Sequence, residues 1–345
     1  MRMNVVMLAL ALTTTVELSH TQARRSTSLP ARFEHFLAGA VKPTAAERKL
    51  LFDGAPVTKL LDGDPSKEIA VFGAVWIDAP RERYAAAVKD IERFESGGAF
   101  RITRKISVPP TLADFAELRL PEEDVADLGD CEVGDCELKL GKASIDAIRS
   151  RVHFSQPGAR SAVEAVFRER AHEYVTAYRE KGNAGLAVYR DASRPTFVAN
   201  ESKSMIDRMP TAMGLLPELR TYLLQYPNAT LPNSTDFLYW QEAQFGLKPT
   251  IRINHLVIQE NANETIVASK MLYASHYFWT ALEVRVLAAD PVRGSGFWFI
   301  TVNRSRSDGL SGFIGRILRG RVRNEVQQGT VAALKLTKAS MEGSR

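Results

Sequence analysis

The chain has 345 residues, 45% of them hydrophobic and 25% charged, with a net charge of +5 at pH 7. This balance describes a globular protein with one large core or two small ones, and excludes a disordered, collagen-like or multi-span membrane chain. The basic surplus is too small to mark a nucleic-acid binder, and two cysteines cannot complete a structural zinc site.

The only continuous apolar run, Val5 to Leu12 with Val16 trailing, is preceded by Arg2 and followed by Thr21-Gln22-Ala23. It is too short to span a bilayer and predicts a signal peptide over residues 1–23, cleaved after Ala23, hence a periplasmic or secreted protein. Arg24 to Asp64 reads as short helices, RFEHFLAGA and TAAERKLLFDG, the second opening with a Thr44/Glu47 capping box and ending at Gly54. Residues 24–66 are therefore expected to form an N-terminal helical brace.

KEIAVFGAVWID then alternates with period two, Ile69, Val71, Gly73, Val75 and Ile77 on one face and Ala70, Phe72, Ala74 and Trp76 on the other. Both faces are largely apolar, so both should be covered. The strand breaks at Ala79-Pro80 and runs into the helix RERYAAAVKDIERF, with Asp78 the expected cap and Tyr84, Val88 and Ile91 the buried stripe. AFRITRKIS and DFAELRL read as further strands on either side of Pro109-Pro110. The acidic loop from Pro121 to Glu137 carries Cys131 and Cys136, whose spacing is wrong for C-x-x-C redox chemistry. An exported chain would close this loop with a disulfide; a cytosolic one would keep two free thiols.

SAVEAVFRERAHEYVTAYREKG is helical in period, with a Ser161/Glu164 capping box, a stripe of Val163, Val166, Phe167, Tyr174 and Tyr178, and a stop at Gly182. Proline-punctuated helical or irregular segments continue to Leu247, and residues 155–247 read as an insertion that packs on or closes over a sheet. Strand character returns at Thr250 in IRINHLVIQE, TIVASKMLYASHYFWTALEVRVLAAD and GSGFWFITVNRSR, with turns at Asn261 to Asn263 and Asp290 to Gly296. The long middle segment must bend, form a hairpin or bulge near Ser275 to Tyr277. Gly312 to Glu342 closes the chain as one long helix.

The pattern I-D-A-P-x-E-x-Y-x(5)-D-I-E-x-F within Trp76 to Phe94, together with the long C-terminal helix, resembles the START-like, helix-grip superfamily of hydrophobic-ligand proteins, and is similar to a secreted bacterial branch of it. The resemblance implies an α+β fold in which a curved antiparallel sheet grips the C-terminal helix, here spanning 67–345 and interrupted at 155–247. It also implies a cavity between sheet and helix that binds a lipid or another hydrophobic small molecule. Two alternatives remain: a START-like cyclase, dehydratase or hydrolase, and a structural module whose cavity is filled by its own side chains.

No catalytic signature accompanies this reading: AHEYV is not H-E-x-x-H, and there is no nucleophile elbow or phosphate loop. No metal or cofactor is expected. Among six scattered histidines His276 is the sharpest candidate, set among Tyr273, Tyr277, Phe278 and Trp279 with Lys270 upstream, where it could bond a ligand headgroup or act as a base with Asp308 or Glu283. Strand parity, which pairs Glu283 with Arg285, directs Glu283 to solvent. Asn303 and Arg304 follow the aromatic strand that holds Trp298, and an arginine fork suits a carboxylate or phosphate. Trp240 reads as core or as lid. The ligand set is thus His276, Tyr273, Phe278, Lys270, Trp298, Asn303, Arg304 and Trp240. Arg316, Arg319, Arg321 and Arg323 offer a peripheral contact to anionic lipid, or a solvated helix face. Asn200, Asn228, Asn233, Asn263 and Asn303 begin N-x-S/T sequons.

Overall fold

The strand from Glu68 to Ile77 (β2) is buried along its whole length, as two apolar alternations require, and the other layers are arranged about it. The computed structural model describes residues 29–208, 216–244, 248–308 and 312–343, and of 312–319 the backbone alone. Residues 1–28, with the expected signal peptide, lie outside it. The strands are β1 (Val57–Leu60), β2, β3 (Phe100–Lys105), β4 (Val188–Tyr189), β5 (Thr196–Phe197), β6 (Ser234–Gln244), β7 (Pro249–Glu260), β8 (Glu264–Ala274), β9 (Phe278–Ala289) and β10 (Phe297–Ser307). The α-helices are α1 (Ala31–Phe36), α2 (Ala45–Phe52), α3 (Arg81–Lys89), α4 (Ile91–Phe94), α5 (Glu122–Asp127), α6 (Lys142–Arg151), α7 (Ala159–Lys181), α8 (Val198–Asp207), α9 (Pro217–Gln225) and α10 (Gly312–Glu342).

The fold is α+β. Eight antiparallel strands run in the order β1-β2-β10-β9-β8-β7-β6-β3, ending at β1 and β3 without closing into a barrel, while β4 and β5 form a separate ribbon. The front face of the sheet holds Val75, Ile77, Phe297, Phe299 and Leu287 against Tyr84, Val88 and Ile91 of α3–α4 and Leu334 and Met341 of α10. The back face holds Phe72, Trp76, Trp298 and Ile300 against α1, α8 and α9, and further along Trp240, Ile251 and Ile253 against α6 and α7.

Helix α10 lies along the β1–β2 edge. A Cβ on Gly73 would come within 2.9 Å of Thr330 and 3.0 Å of Leu334, so the missing side chain sets the close approach of helix to strand. Lys338 Nζ donates to the Trp76 carbonyl at 2.6 Å, and Glu342 accepts from the Asp78 amide at 2.7 Å.

Several expectations are met: the Thr44/Glu47 capping box, the Gly182 stop, the buried stripe of α3–α4, both strand turns, and a β8–β9 hairpin turning at Ser275 to Tyr277, where Tyr277 has φ +63°. Cys131 and Cys136 form a disulfide. Other elements differ. Val57–Leu60, inside the expected helical brace, is an edge strand of the sheet. Asp78 is not the N-cap of α3: the helix begins after Pro80, which holds the cap position, and the Asp78 amide donates to Glu342. The expected strand DFAELRL does not form: its first two residues end a 3-10 turn over Leu112–Phe115, where Asp114 accepts from the Thr111 amide at 2.7 Å, and the rest is irregular. Helix α7 starts two residues before Ser161, after Gly158 at φ +91°, and Glu164 turns to the Leu120 amide and Arg168 rather than to a cap. Finally, Ser234–Gln244, read as part of the insertion, is a full strand between β7 and β3. Both of its faces are apolar over Phe237 to Trp240, which hides the period-two signal.

Candidate functional site

Between α6, α7 and the back of the sheet lies a cavity of about 320 Å³. Its walls are Leu118, Leu140, Ile148, Phe167 and Ala171 on the helical side, and Ile251, Ile253 and Tyr273 on the sheet side. Gly141, Ala143, Ala177, Gly185 and Ala187 also line it, so the space exists because small residues face aromatic ones and the helices stand off from β7 and β8. The polar groups are few: Ser144, Arg170 and Glu173 also line the cavity, with Arg170 bonded to Ser144 Oγ at 3.4 Å and paired with Glu173. Three tyrosines complete the lining. Tyr174 donates to the Leu272 carbonyl at 2.6 Å and the Tyr189 oxygen accepts from the Ala274 amide at 3.5 Å. The Tyr273 hydroxyl is buried with no hydrogen-bond partner among the described residues. Burial holds all three phenols above their ordinary pKa, so each stays a neutral hydroxyl at physiological pH.

Tyr273 reaches this site through a bulge. Asn254 pairs with Met271 but Ile253 pairs with Tyr273, so Leu272 is the extra residue. Unbroken alternation would place Tyr273 beside Met271 on the front face; the inserted residue turns it to the α7 side. Its ring meets Phe167, Tyr174 and Tyr189 at 6.1–6.3 Å between centroids.

Of the eight residues predicted as a ligand set, Tyr273 is the one that lines this cavity. His276 sits in the β8–β9 turn, 5% exposed, with Nε2 2.9 Å from Asp124 Oδ1; Asp124 is fully buried and its Oδ2 has no partner among the described residues. Its expected acid partners lie elsewhere, since Asp308 accepts from Lys139 at 2.5 Å and Glu283 from Arg285. Phe278 opens β9 with its ring 6.3 Å from Tyr277. Trp240 donates to the Asp114 carbonyl at 2.8 Å, and Trp298 to Asp290 at 3.1 Å. Arg304 is paired with buried Glu68 on the back face, while Asn303, one residue earlier, is exposed on the front. Arg321 and Arg323 are exposed, Arg321 pairing with Glu325 at 2.9 Å; the side chains of Arg316 and Arg319 fall outside the described residues.

Lys270 is fully buried beneath the junction of α7 and α9, hydrogen-bonded to Asn183 and to the Leu223 carbonyl at 3.4 Å. Burial without a carboxylate partner lowers its pKa to about 7. Beside it, Tyr178 lies 3.0 Å from His255 Nδ1, and His255 Nε2 lies 3.0 Å from Asp236. Burial holds His255 below the ordinary histidine range, and its hydrogen bond to His255 holds Asp236 below the carboxylate range. The neutral ring then accepts from Tyr178 and donates to Asp236. This network ties the helices to the sheet.

The front face, where the resemblance places a ligand, carries a polar row across its middle. Gln241 donates to Glu95 at 2.8 Å and accepts from Arg252; Arg285 forks onto Glu283 at 2.9 and 2.5 Å; and Thr301 donates to Glu283 at 3.2 Å. Glu283, expected to face solvent, is 26% exposed. Comparison with protein-family models returned no match, and comparison with curated protein sequences returned none. Among the described residues no helix is long and apolar enough to cross a membrane, and no cluster of metal-ligating side chains occurs.

Proposed function

We propose that the protein binds a compact hydrophobic molecule bearing a hydrogen-bond acceptor, in the cavity between α6–α7 and the back of the sheet, after export to a periplasmic or extracellular compartment. The observation that carries this reading is an apolar cavity lined by Tyr273, a tyrosine whose buried hydroxyl has no hydrogen-bond partner among the described residues. Apolar walls with a few fixed polar groups are what small-molecule sites are made of, and a buried neutral phenol donates one hydrogen bond to a carbonyl, ether or hydroxyl oxygen. The volume of about 320 Å³ equals roughly ten water volumes of ~30 Å³. That suits a fused-ring or short-chain compound and is too small for a two-chain phospholipid.

Kinship to the START-like superfamily is part of the same proposal, supported by the strand-proline-helix opening, the long antiparallel sheet and the helix that follows its last strand. The binding face differs from that superfamily's: the insertion supplies the cover, and the C-terminal helix lies on the other side. Export is supported by the Cys131–Cys136 disulfide and by the apolar run at Val5 to Leu12.

The test is a titration of the purified protein with an apolar fluorescent probe, alongside Ala187→Leu, which fills the cavity, and Tyr273→Phe, which removes its unpartnered donor. Probe uptake by the wild type that Ala187→Leu abolishes supports the site. Equal uptake by wild type and Ala187→Leu, in a folded variant, places binding elsewhere.

A further inference from the structure

Glu164 on α7 is 5% exposed, and three arginines converge on its carboxylate. Arg168 Nη2 lies 3.0 Å from Oε2, Arg119 Nε lies 3.8 Å from the same oxygen, and Arg160 Nε lies 3.4 Å from Oε1, which also accepts from the Leu120 amide at 3.3 Å. None of the three pairs with a second carboxylate among the described residues, and neighbouring Glu117 is held in a fork by Arg104 at 2.6 and 2.8 Å. One carboxylate therefore answers three guanidiniums, and two positive charges are left without a counter-charge. Burial and, after it, the charge of Arg119 lower the Arg168 pKa from the ordinary arginine value.

Main-chain carbonyls of the segment before α5 fix the arginine forks. Arg119 Nη1 donates to Ala116 and Leu118 at 2.7 and 2.9 Å, Arg160 Nη2 to Leu120 at 2.6 Å, and Arg168 Nε to Leu118 at 3.0 Å. Each arginine keeps one terminal nitrogen, Arg119 Nη2, Arg160 Nη1 and Arg168 Nη1, with no hydrogen-bond partner among the described residues. The Arg119 and Arg160 side chains are 50% and 48% exposed, so the cluster is open to solvent. Arg160 stands in the first turn of α7, at the positive end of the helix dipole.

We infer that Arg119, Arg160 and Arg168 form a binding site for a doubly charged oxoanion, a phosphate or sulfate group. Guanidinium forks match the oxygens of such a group, and a dianion supplies the charge that Glu164 leaves uncompensated. Side chains already fixed by carbonyls lose less rotamer freedom on binding. The site does not rest on the proposed ligand of the cavity, although the two share a wall: Leu118 lines the cavity while its carbonyl accepts from Arg119 and Arg168. The oxoanion has two sources, a free anion or the charged end of an ester whose apolar body enters the cavity.

The experiment is isothermal titration calorimetry of the full chain with inorganic phosphate, using wild type, Arg119→Gln, Arg160→Gln and a control, Arg220→Gln, whose guanidinium pairs with Asp207 on α8. Glu164 keeps Arg168 and the Leu120 amide in both cluster variants, so the fold is retained. The expected result is saturable binding of one phosphate per chain, weakened about tenfold in each cluster variant, unchanged in Arg220→Gln, and not reproduced by chloride at equal ionic strength. Absence of saturable binding, or equal binding by wild type and both cluster variants, overturns the site. Octyl phosphate separates the sources: tighter binding than inorganic phosphate, brought back to the phosphate level by Ala187→Leu, supports the site as the anchor of a cavity ligand, and binding equal to inorganic phosphate supports it as a site for a free anion.

Discussion

At the scale of single residues, two buried polar groups give opposite predictions. The Tyr273 hydroxyl has no partner among the described residues, so deleting it removes a desolvated donor rather than a bond. Tyr273→Phe should leave the free energy of unfolding in urea unchanged or raised by up to ~1 kcal/mol, while weakening probe binding about tenfold, the equivalent of ~1.4 kcal/mol. A variant destabilised by several kcal/mol would mean that the hydroxyl is bonded within the protein. Lys270 is the reverse case, a buried amine with two neutral oxygen acceptors and a pKa of about 7. In the unfolded chain its pKa is near 10.4, so between pH 7 and that value the unfolded state holds a proton that the native state has released. Stability should therefore rise with pH across this window, by a few kcal/mol in all. Urea midpoints of wild type and Lys270→Met between pH 7 and 10 should diverge, the wild type rising relative to the variant; parallel curves would assign the proton elsewhere.

At the scale of elements, the end of α7 is the most constrained junction. Gly182 has φ +56°, and a Cβ there would sit 1.6 Å from the Tyr226 carbonyl oxygen, so Gly182→Ala must push the α7 end away from the chain that follows α9. A loss of more than ~2 kcal/mol is expected in urea unfolding, beyond the ordinary cost of the left-handed backbone. On the front face, Leu334→Ala should cost ~2–4 kcal/mol of local stability, read as faster hydrogen exchange in α10 and β1, because Leu334 is one of two buried side chains among the described residues of that helix. How much of this was legible in the sequence depended on the burial of each element. β2, α2 and α3 carry periodicity, breakers or caps within a dozen residues and were readable. β6 was not, since its apolar run, Phe237 to Trp240, is short and bounded by polar residues, a pattern in which strand and buried helix read alike. The position of Tyr273 was not either, because one bulged residue in β8 reverses the parity on which any facing argument rests. The Asp124 partner of His276 lies 152 residues away in sequence, a separation at which local patterning is silent. The cavity left only a faint trace, the small residues Ala171 and Ala177 within the aromatic stripe of α7.

At the scale of the whole molecule, one sheet serves two covers. The front is closed by α3, α4 and α10 over an apolar end and a polar middle, and the back by the N-terminal helices and the insertion, with the candidate cavity under α6 and α7. The disulfide loop stands beside this cover: Gly134 and Cys136 donate to the Arg190 and Asp191 carbonyls at 2.7 and 2.9 Å, tying the loop to the segment that follows β4. Replacing both cysteines by serine should cost about 2 kcal/mol for a loop of this length, measured by urea unfolding, and should weaken probe binding less than Ala187→Leu does. The most direct test of the central claim is native mass spectrometry of the purified protein, with organic extraction and identification of any co-purifying compound. One small, largely apolar molecule per chain, absent from Ala187→Leu, is the predicted result. A bare chain mass that no apolar compound can shift would contradict it, and would assign the cavity to the packing of the fold alone.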